Sequence, residues 1–249
     1  MPGRSHKSSS GTLANPFPPP ESANEDGVVA VGGEPWPALL KIAYPQGIFP
    51  WPHEGLPLLW FSPDPRFVLD IRAAHLPRSL QKNLRKSPYR ITFDTAFSEV
   101  MLGCQAAYRP GQSGTWITDT MRKGYEQLHL EGLAHSVEAW REEELVGGLY
   151  GVSFGRVFFG ESMFARAADA SKIAFATLLA NLAEWGFEMV DCQSYTDHLA
   201  RFGASEWPRE RFLTELRAHV EAPTKKGPWQ IEVAPAEAKT VLQAYQEKA

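Results

Sequence analysis

GGLYGVSFGRVFFGESMFARAADASKIAFATLLANLAEWGFEMVDCQ, residues 147–193, is the stretch of sequence that decides the fold. Two apolar runs at its start predict two strands joined by a turn, and apolar residues at helical spacing then predict a long helix from Asp169. A third apolar run, residues 189–193, predicts a strand that ends in an acid and an amide. Strands that surround a helix in this order indicate an α/β domain.

Two of these strands carry polar side chains where the pattern predicts buried apolar ones. Alternation in the second strand predicts that Phe159, Glu161 and Met163 share one face. Alternation in the last strand predicts that Asp191 and Gln193 also share a face. A carboxylate buried without a partner costs several kcal/mol, and acids of this kind are candidates for functional sites.

A structural role for the two acids is the alternative. Glu161 or Asp191 taken singly is better explained as a half-solvated strand end, or as the partner of Arg156 or Arg166 in an ion pair. Taken together, with Gln193 beside one acid and a strand-to-helix turn close to the other, the acids favour a functional site.

The chain on either side of this stretch extends the α/β pattern. The segments AHSVEAWRE, EELVGGLYGVS and GRVFFGESMF predict a meander of three strands. The other predicted elements are helix 37–43, strand 66–71, helix 77–87, strand 89–94, helix 95–107, a helix capped by Thr118 that extends to about residue 131, and two short helices at 196–204 and 208–216. Meander, helix and strand in this order resemble the acyltransferase fold called GNAT.

Composition divides the chain into unequal parts. Residues 1–16 are polar, are rich in Ser and Pro and lack the apolar region of a secretory signal, so we expect a disordered leader. Residues 17–63 are dense in Pro, Gly and Trp, and we assign residues 64–112 with them to a small N-terminal domain. Residues 113–249 are then the GNAT-like catalytic domain.

Charge and cysteine content exclude several classes of protein. The 249 residues carry a formal net charge of −4, which argues against binding nucleic acid through bulk charge. Only Cys104 and Cys192 are present, without metal-ligand spacing, so we expect no metal, no disulfide framework and a reduced, cytoplasmic protein. No apolar run has the length that a membrane span requires, and no surplus apolar helix face stands out, so the sequence predicts a monomer.

One predicted helix has a basic face. Arg78, Lys82, Arg85 and Lys86 recur at spacings of three and four residues, which places them together on the helix surface. A solvated face is the usual explanation for such a run. Because the rest of the chain is acidic, an anion-binding patch for a phosphate backbone is slightly favoured.

The turn before the long helix disfavours coenzyme A as the acyl donor. In GNAT acetyltransferases, bare backbone amides of a glycine-rich turn at this place hold the pyrophosphate. Here the turn reads ARAADASK, without glycine and with Asp169 at the helix start, so a polyanion would meet Cβ atoms and a carboxylate.

Ten motifs, within a match that extends from about residue 17 to residue 216, resemble those of the leucyl/phenylalanyl-tRNA protein transferase family. They are FPPPESANEDGVVAVGGE (17–34), YPQGIFPW (44–51), WFSPDPR (60–66), SPYR (87–90), GTWIT (114–118), LVGGLYGV (145–152), FFGESMF (158–164), ASK (170–172), DCQ (191–193) and HLARFGA (198–204). The resemblance implies an enzyme without metal or organic cofactor that moves Leu or Phe, and less well Met, from aminoacyl-tRNA to proteins with N-terminal Lys or Arg. The products would be degraded by the N-end rule.

The resemblance also implies roles for individual residues. Asp191 and Gln193 are the implied catalytic pair, and we hypothesise that Asp191 polarises the Gln193 side chain so that its amide oxygen accepts a proton from the attacking amine. Glu161 is implied to hold an ammonium, either the donor's or the acceptor's. The implied lining of the donor side-chain pocket is Trp51, Trp116, Leu149, Phe158, Met163, Leu178 and Val190. The basic face, Arg78, Lys82, Arg85 and Lys86, is implied to bind the acceptor stem of the tRNA.

Two other functions remain open from the residues. The first is a GNAT-like transferase that uses aminoacyl-tRNA but delivers the amino acid to a cell-wall peptide or a lipid. Such an enzyme would need access to a membrane-bound substrate, and no basic amphipathic helix or anchor is evident in the sequence. A catalytically silent RNA-binding module would need the basic face but would not need Asp191, Gln193 and Glu161.

Overall fold

The computed structural model describes residues 14–107 and 117–247. Within them the helices are α1 (Pro37–Ala43), α2 (Arg78–Arg85), α3 (Phe97–Gln105), α4 (Asp119–Leu130), α5 (Ala170–Glu184), α6 (Asp197–Ala200), α7 (Arg209–Val220) and α8 (Ala238–Glu247). The strands are β1 (Val28–Val31), β2 (Phe49–Trp51), β3 (Leu59–Phe61), β4 (Arg66–Asp70), β5 (Arg90–Phe93), β6 (Ala134–Arg141), β7 (Glu144–Phe154), β8 (Val157–Ala165), β9 (Met189–Gln193) and β10 (Ser205–Trp207). The predicted leader lies mostly outside the described residues.

A small antiparallel sheet forms the N-terminal part of the molecule, with strand order β1-β3-β2. Its strands are only three or four residues long, and β2 contains Pro50, which cannot donate to a sheet ladder. Trp60 is buried at its centre, where the indole nitrogen donates to the Gly32 carbonyl at 2.9 Å and the ring meets Phe17 edge to face. Aromatic burial therefore supplies the core that these short strands need.

The large sheet has seven strands in the order β10-β4-β9-β8-β7-β6-β5. The β6–β7–β8 meander is antiparallel, and α5 then crosses over so that β9 lies parallel to β8. This confirms the predicted α/β fold class and the order of meander, helix and strand. It differs from the expectation for residues 64–112, because β4 pairs with β9 and β5 pairs with β6 within the same large sheet.

The two faces of the large sheet bury separate apolar cores. On one face α5 is buried along almost its whole length, since α8 covers its outer side. On the other face α3, α4 and α7 pack together with the N-terminal sheet. Helix α8 was not predicted from the sequence. The segment that precedes α8 is held by Asn181 of α5, whose side-chain oxygen accepts hydrogen bonds from the backbone N–H groups of Glu232 and Val233 at 2.8 and 2.9 Å.

A β-bulge in β8 overturns one prediction from alternation. The pairing of β7 with β8 shifts beside Gly151, and Glu161 is the extra residue of β8. Because a bulge shifts the side-chain alternation by one residue, Phe159 packs on the α4 side of the sheet whereas Met163 packs on the α5 side. The prediction that Phe159, Glu161 and Met163 share one face is therefore wrong for Met163.

Candidate active site

A cavity of about 400 Å³ opens where β8 and β9 stop pairing. The two parallel strands are paired only as far as Phe159 and Asp191, although both continue past this point. Residues that follow on each strand, Glu161 and Gln193 among them, line the cavity, and β2 of the N-terminal sheet closes another side. A cavity of this size at a split in a sheet is typical of a small-molecule site.

Five of the implied pocket residues line this cavity: Trp51, Leu149, Phe158, Met163 and Val190. Leu178 does not line it, since this side chain is fully buried in the core between α5 and the sheet. The implied role of Leu178 as a lining residue is therefore wrong. Trp116 lies outside the described residues.

Several other residues that line the cavity were not predicted from the sequence. Phe49, Phe175 and Leu199 add apolar surface, and Lys172 and His198 add polar groups. Helical spacing could have identified Phe175, because it lies four residues after Ser171 of the ASK motif and therefore on the same face of α5. Leu199 and His198 belong to α6, whose position depends on long-range packing.

Glu161 is the centre of a hydrogen-bonded cluster. The hydroxyls of Tyr44 and Tyr125 donate to its two carboxylate oxygens at 2.6 and 2.9 Å, and Gln193 Nε2 donates at 2.7 Å. The two tyrosine oxygens also contact each other, so their two phenolic protons are shared among three oxygen–oxygen contacts. Burial raises the pKa of Glu161 to about 7, and the nearby Asp191 adds to this rise, while the three donors lower it. The carboxyl group is therefore poised to change its charge near neutral pH.

Asp191 is fully buried and paired with an arginine. Arg66 Nε and Nη2 donate to its two oxygens at 2.8 and 2.6 Å, in a bidentate geometry. The backbone N–H of Gln193 donates to the same carboxylate at 2.9 Å. The side chain of Gln193 reaches Glu161 in the cavity wall, while the predicted common face of Asp191 and Gln193 stays a prediction because the pairing of β4 with β9 is irregular between them. The hypothesis that Asp191 polarises the Gln193 side chain needs correction, since the carboxylate contacts the backbone of Gln193.

The predicted basic residues are exposed: Arg78, Lys82 and Arg85 on α2, and Lys86 directly after its last turn. Leu80 and Leu84 on the opposite face are buried against the core, which orients the helix. Asn83 of α2 donates to Asp169 at 2.9 Å, and Lys172 donates to the same carboxylate at 2.6 Å. Because Lys172 lines the cavity, these bonds connect α2 to the cavity mouth.

Among residues 14–107 and 117–247, no group of three or more His, Cys, Asp or Glu side chains is arranged to hold a metal ion. Over the same ranges, no helix has the length and apolar character to cross a bilayer.

Comparison with known proteins identifies the family. The family model described as leucyl/phenylalanyl-tRNA protein transferase matches residues 68–217, and the model of its N-terminal domain matches residues 33–64. The leucyl/phenylalanyl-tRNA–protein transferase of Myxococcus xanthus is 56% identical over 86% of this chain and 91% of its own length. That of Anaeromyxobacter dehalogenans strain 2CP-C is 54% identical over 88% and 94%.

A search of solved structures found a GCN5-related N-acetyltransferase-like protein from Streptococcus suis. It is 10% identical, with a TM-score of 0.34 over 68% of this chain and 63% of the other. This score is too low to support a conclusion about the fold. The sequence relationships are sufficient by themselves: the chain belongs to the leucyl/phenylalanyl-tRNA protein transferase family.

Proposed function

We propose that this protein transfers Leu or Phe, and less well Met, from aminoacyl-tRNA to the α-amino group of proteins that begin with Lys or Arg. Such products are marked for degradation by the N-end rule, and we place the reaction in the cytoplasm, carried out by a monomer. The observation that carries the proposal is the apolar cavity with Glu161 and Gln193 hydrogen-bonded to each other in its wall, at 2.7 Å.

The cavity suits an apolar amino acid that carries a free amine. Phe158, Met163 and Val190 offer apolar contact to the donor side chain. A side chain branched at Cβ is stiff at χ1 and crowds such a pocket, so Val and Ile would fit worse than Leu, Phe or Met. Glu161 supplies a carboxylate in the cavity wall. We assign to it the binding of a cation, either the α-ammonium group of the donor or the cationic end of the acceptor.

Gln193 is the group that we assign to the attacking amine. Its Nε2 is occupied by Glu161, and among the described residues no hydrogen bond reaches its Oε1. The amide orientation fixed in this way leaves Oε1 to accept a hydrogen bond from the N–H of the incoming neutral amine.

The chemical step needs alignment more than a strong catalytic base. The amine nitrogen forms a bond to the ester carbonyl carbon, the bond to the ribose oxygen breaks, and one proton moves from the amine to the ribose oxygen. Because the aminoacyl ester is already activated, positioning of the two reactants supplies much of the rate, and no metal or organic cofactor is required.

The tRNA is assigned to the basic face of α2. Phosphate contacts from its four exposed basic residues would position the acceptor stem without reading its sequence. The bonds from Asn83 and Lys172 to Asp169 support this assignment, because they tie α2 to the mouth of the cavity that receives the aminoacyl end. Donor choice would then depend more on the amino acid than on the tRNA body.

The experiment incubates the purified protein with radiolabelled Leu-tRNA or Phe-tRNA and two peptides that differ only in an N-terminal Arg or Ala. We expect label on the Arg peptide alone. Label on both peptides would refute the acceptor rule. Absence of label on either peptide while the tRNA is bound would refute transfer to a protein N-terminus and would leave a non-protein acceptor or a silent binding module.

A further inference from the structure

Arg66 is a buried cation outside the cavity wall. It is the first residue of β4 and is 0% exposed, and its guanidinium lies across the strand pair from Asp191 in β9. The bidentate bonds of 2.8 and 2.6 Å fix the plane of the carboxylate as well as its position. A buried ion pair of this kind is weak evidence for stability, so its geometry calls for another explanation.

Two aromatic rings hold the guanidinium in place. Its central carbon lies 4.7 Å from the centroid of Phe49 and 4.6 Å from that of Phe212. Both rings are buried, one from the N-terminal sheet and one from α7. A planar guanidinium packs on such rings while it donates sideways to a carboxylate, and a lysine ammonium cannot do both. Phe49 also lines the cavity, so the cation is held by the cavity wall itself.

The Asp191 carboxylate, fixed by Arg66, in turn holds the backbone of Gln193. Asp191 Oδ1, which accepts from Arg66, also accepts the Gln193 backbone N–H. Gln193 has φ of 63°, in the left-handed region, and the pairing of β4 with β9 is irregular beside it. This conformation is uncommon for a residue other than glycine and persists where surrounding bonds impose it. The bond from Asp191 is therefore positioned to hold the backbone turn that aims the Gln193 side chain at Glu161.

We propose that Arg66 is the positioning residue of the transfer reaction, acting through Asp191 to fix the backbone and amide orientation of Gln193. The inference rests on the proposed function, since Gln193 is the group that meets the attacking amine there. Arg66 is absent from the cavity lining and touches no reactant, so its loss is expected to lower the turnover number without changing affinity for aminoacyl-tRNA.

The test compares wild type with Arg66→Lys and Arg66→Ala, with kcat and the dissociation constant of aminoacyl-tRNA measured separately. For Arg66→Lys we expect kcat to fall about a hundredfold, the size of effect that misplacement of a reacting group can cause, while the dissociation constant stays within about twofold of wild type. Arg209→Lys is the matched control. Its guanidinium donates to the Ser62 carbonyl at 2.7 Å and lies outside the cavity, so kcat should be unchanged.

Chemical rescue separates positioning from a general structural role. Ethylguanidinium added to Arg66→Ala should restore part of kcat, because it can bind between the two rings and orient the carboxylate, whereas ethylammonium of equal charge should not. If both cations rescue equally, charge alone matters and the positioning role is refuted. If the lysine variant turns over at the wild-type rate, the proposal is also refuted.

A variant at a second position tests the proposal even if the Arg66 variants fold poorly. Phe212→Leu removes one ring from the guanidinium and keeps the ion pair, and it should lower kcat while leaving tRNA affinity intact. An unchanged kcat in a folded Phe212→Leu protein would then refute the proposal. Failure of the proposed function is distinguishable, because in that case the wild-type protein itself does not transfer label.

Discussion

Replacement of Glu161 by Gln should make the stability of the protein less dependent on pH. The carboxyl group is held among Tyr44, Tyr125 and Gln193, and burial raises its pKa from 4.5 to about 7 despite the hydrogen bonds that these groups donate. The glutamine side chain has the same shape but does not titrate. The difference in stability between the two proteins therefore isolates the proton that Glu161 binds.

The sign and size follow from linkage. Between pH 4.5 and about 7 the folded protein binds this proton more tightly than the unfolded chain does, so the free energy of unfolding falls as pH rises through that window. The stabilisation is fully present below pH 4.5 and is lost above pH 7. Since each pKa unit corresponds to about 1.4 kcal/mol, the free energy of unfolding of the variant minus that of wild type should rise by about 2 to 3 kcal/mol between pH 5 and pH 8.

Urea unfolding followed by tryptophan fluorescence at several pH values between 5 and 8 measures this difference. The control is Glu143→Gln, at an exposed position in the turn between β6 and β7, where the difference from wild type should stay flat. A flat difference for Glu161→Gln as well would contradict the reasoning, because it would mean that folding does not change the proton affinity of Glu161.

Three further outcomes are expected. A Cβ atom at Gly151 would lie 2.3 Å from the Phe159 carbonyl oxygen and 2.4 Å from the Phe158 ring, so Gly151→Ala should lower the free energy of unfolding by about 1 to 3 kcal/mol in urea titrations; an unchanged value would show that β8 shifts without cost. Asn181→Leu strips two backbone N–H groups of their acceptor and should cost about 3 kcal/mol by the same assay, and a loss below about 0.5 kcal/mol would contradict this. Lys82→Glu should weaken tRNA binding and reduce its dependence on salt in filter-binding assays; equal salt slopes would exclude a phosphate contact there.

Local patterns predicted most of the secondary structure. The strand-helix-strand order of residues 147–193 is confirmed. It could be predicted because the spacing of apolar residues changes clearly from alternation to helical spacing and back. Thr118 caps α4 as predicted, with its hydroxyl accepting the Met121 N–H at 3.2 Å. Short-range signals of this kind do not depend on the rest of the chain, and the bounds of α1 were predicted for the same reason.

The site depended on contacts that no local pattern reports. Tyr44 meets Glu161 across 117 positions of sequence, and Arg66 meets Asp191 across 125. The bulge that separates Met163 from Phe159 is equally invisible, since it is set by the pairing of β8 with β7. The family resemblance indicated which acids to examine, and only the fold shows which side chains surround them.

The placement of residues 64–112 depends on long-range pairing in the same way. The composition of residues 17–63 is distinct, but residues 64–112 contain ordinary strands whose partners lie far along the chain. Pairing across such distances cannot be inferred from composition. The C-terminal helix α8 was missed although Ala238, Val241, Leu242 and Tyr245 recur at helical spacing, and only its packing on α5 depends on the rest of the chain.

The most direct test of the account is single-turnover transfer by Gln193→Asn. Asparagine keeps the amide and tolerates the left-handed backbone, but it is one methylene shorter and cannot reach both Glu161 and the amine. Asp191→Ala is a less clean choice, because it leaves the buried Arg66 without its partner, at a cost of about 3 to 5 kcal/mol.

The measurement follows radiolabelled Leu or Phe from tRNA to a peptide with an N-terminal Arg, with protein in excess and tRNA affinity determined in parallel. We predict a fall in rate of about a hundredfold for Gln193→Asn, with tRNA affinity unchanged. Transfer at the wild-type rate by this variant would contradict the assignment of Gln193, and with it the central claim that this cavity carries the reaction.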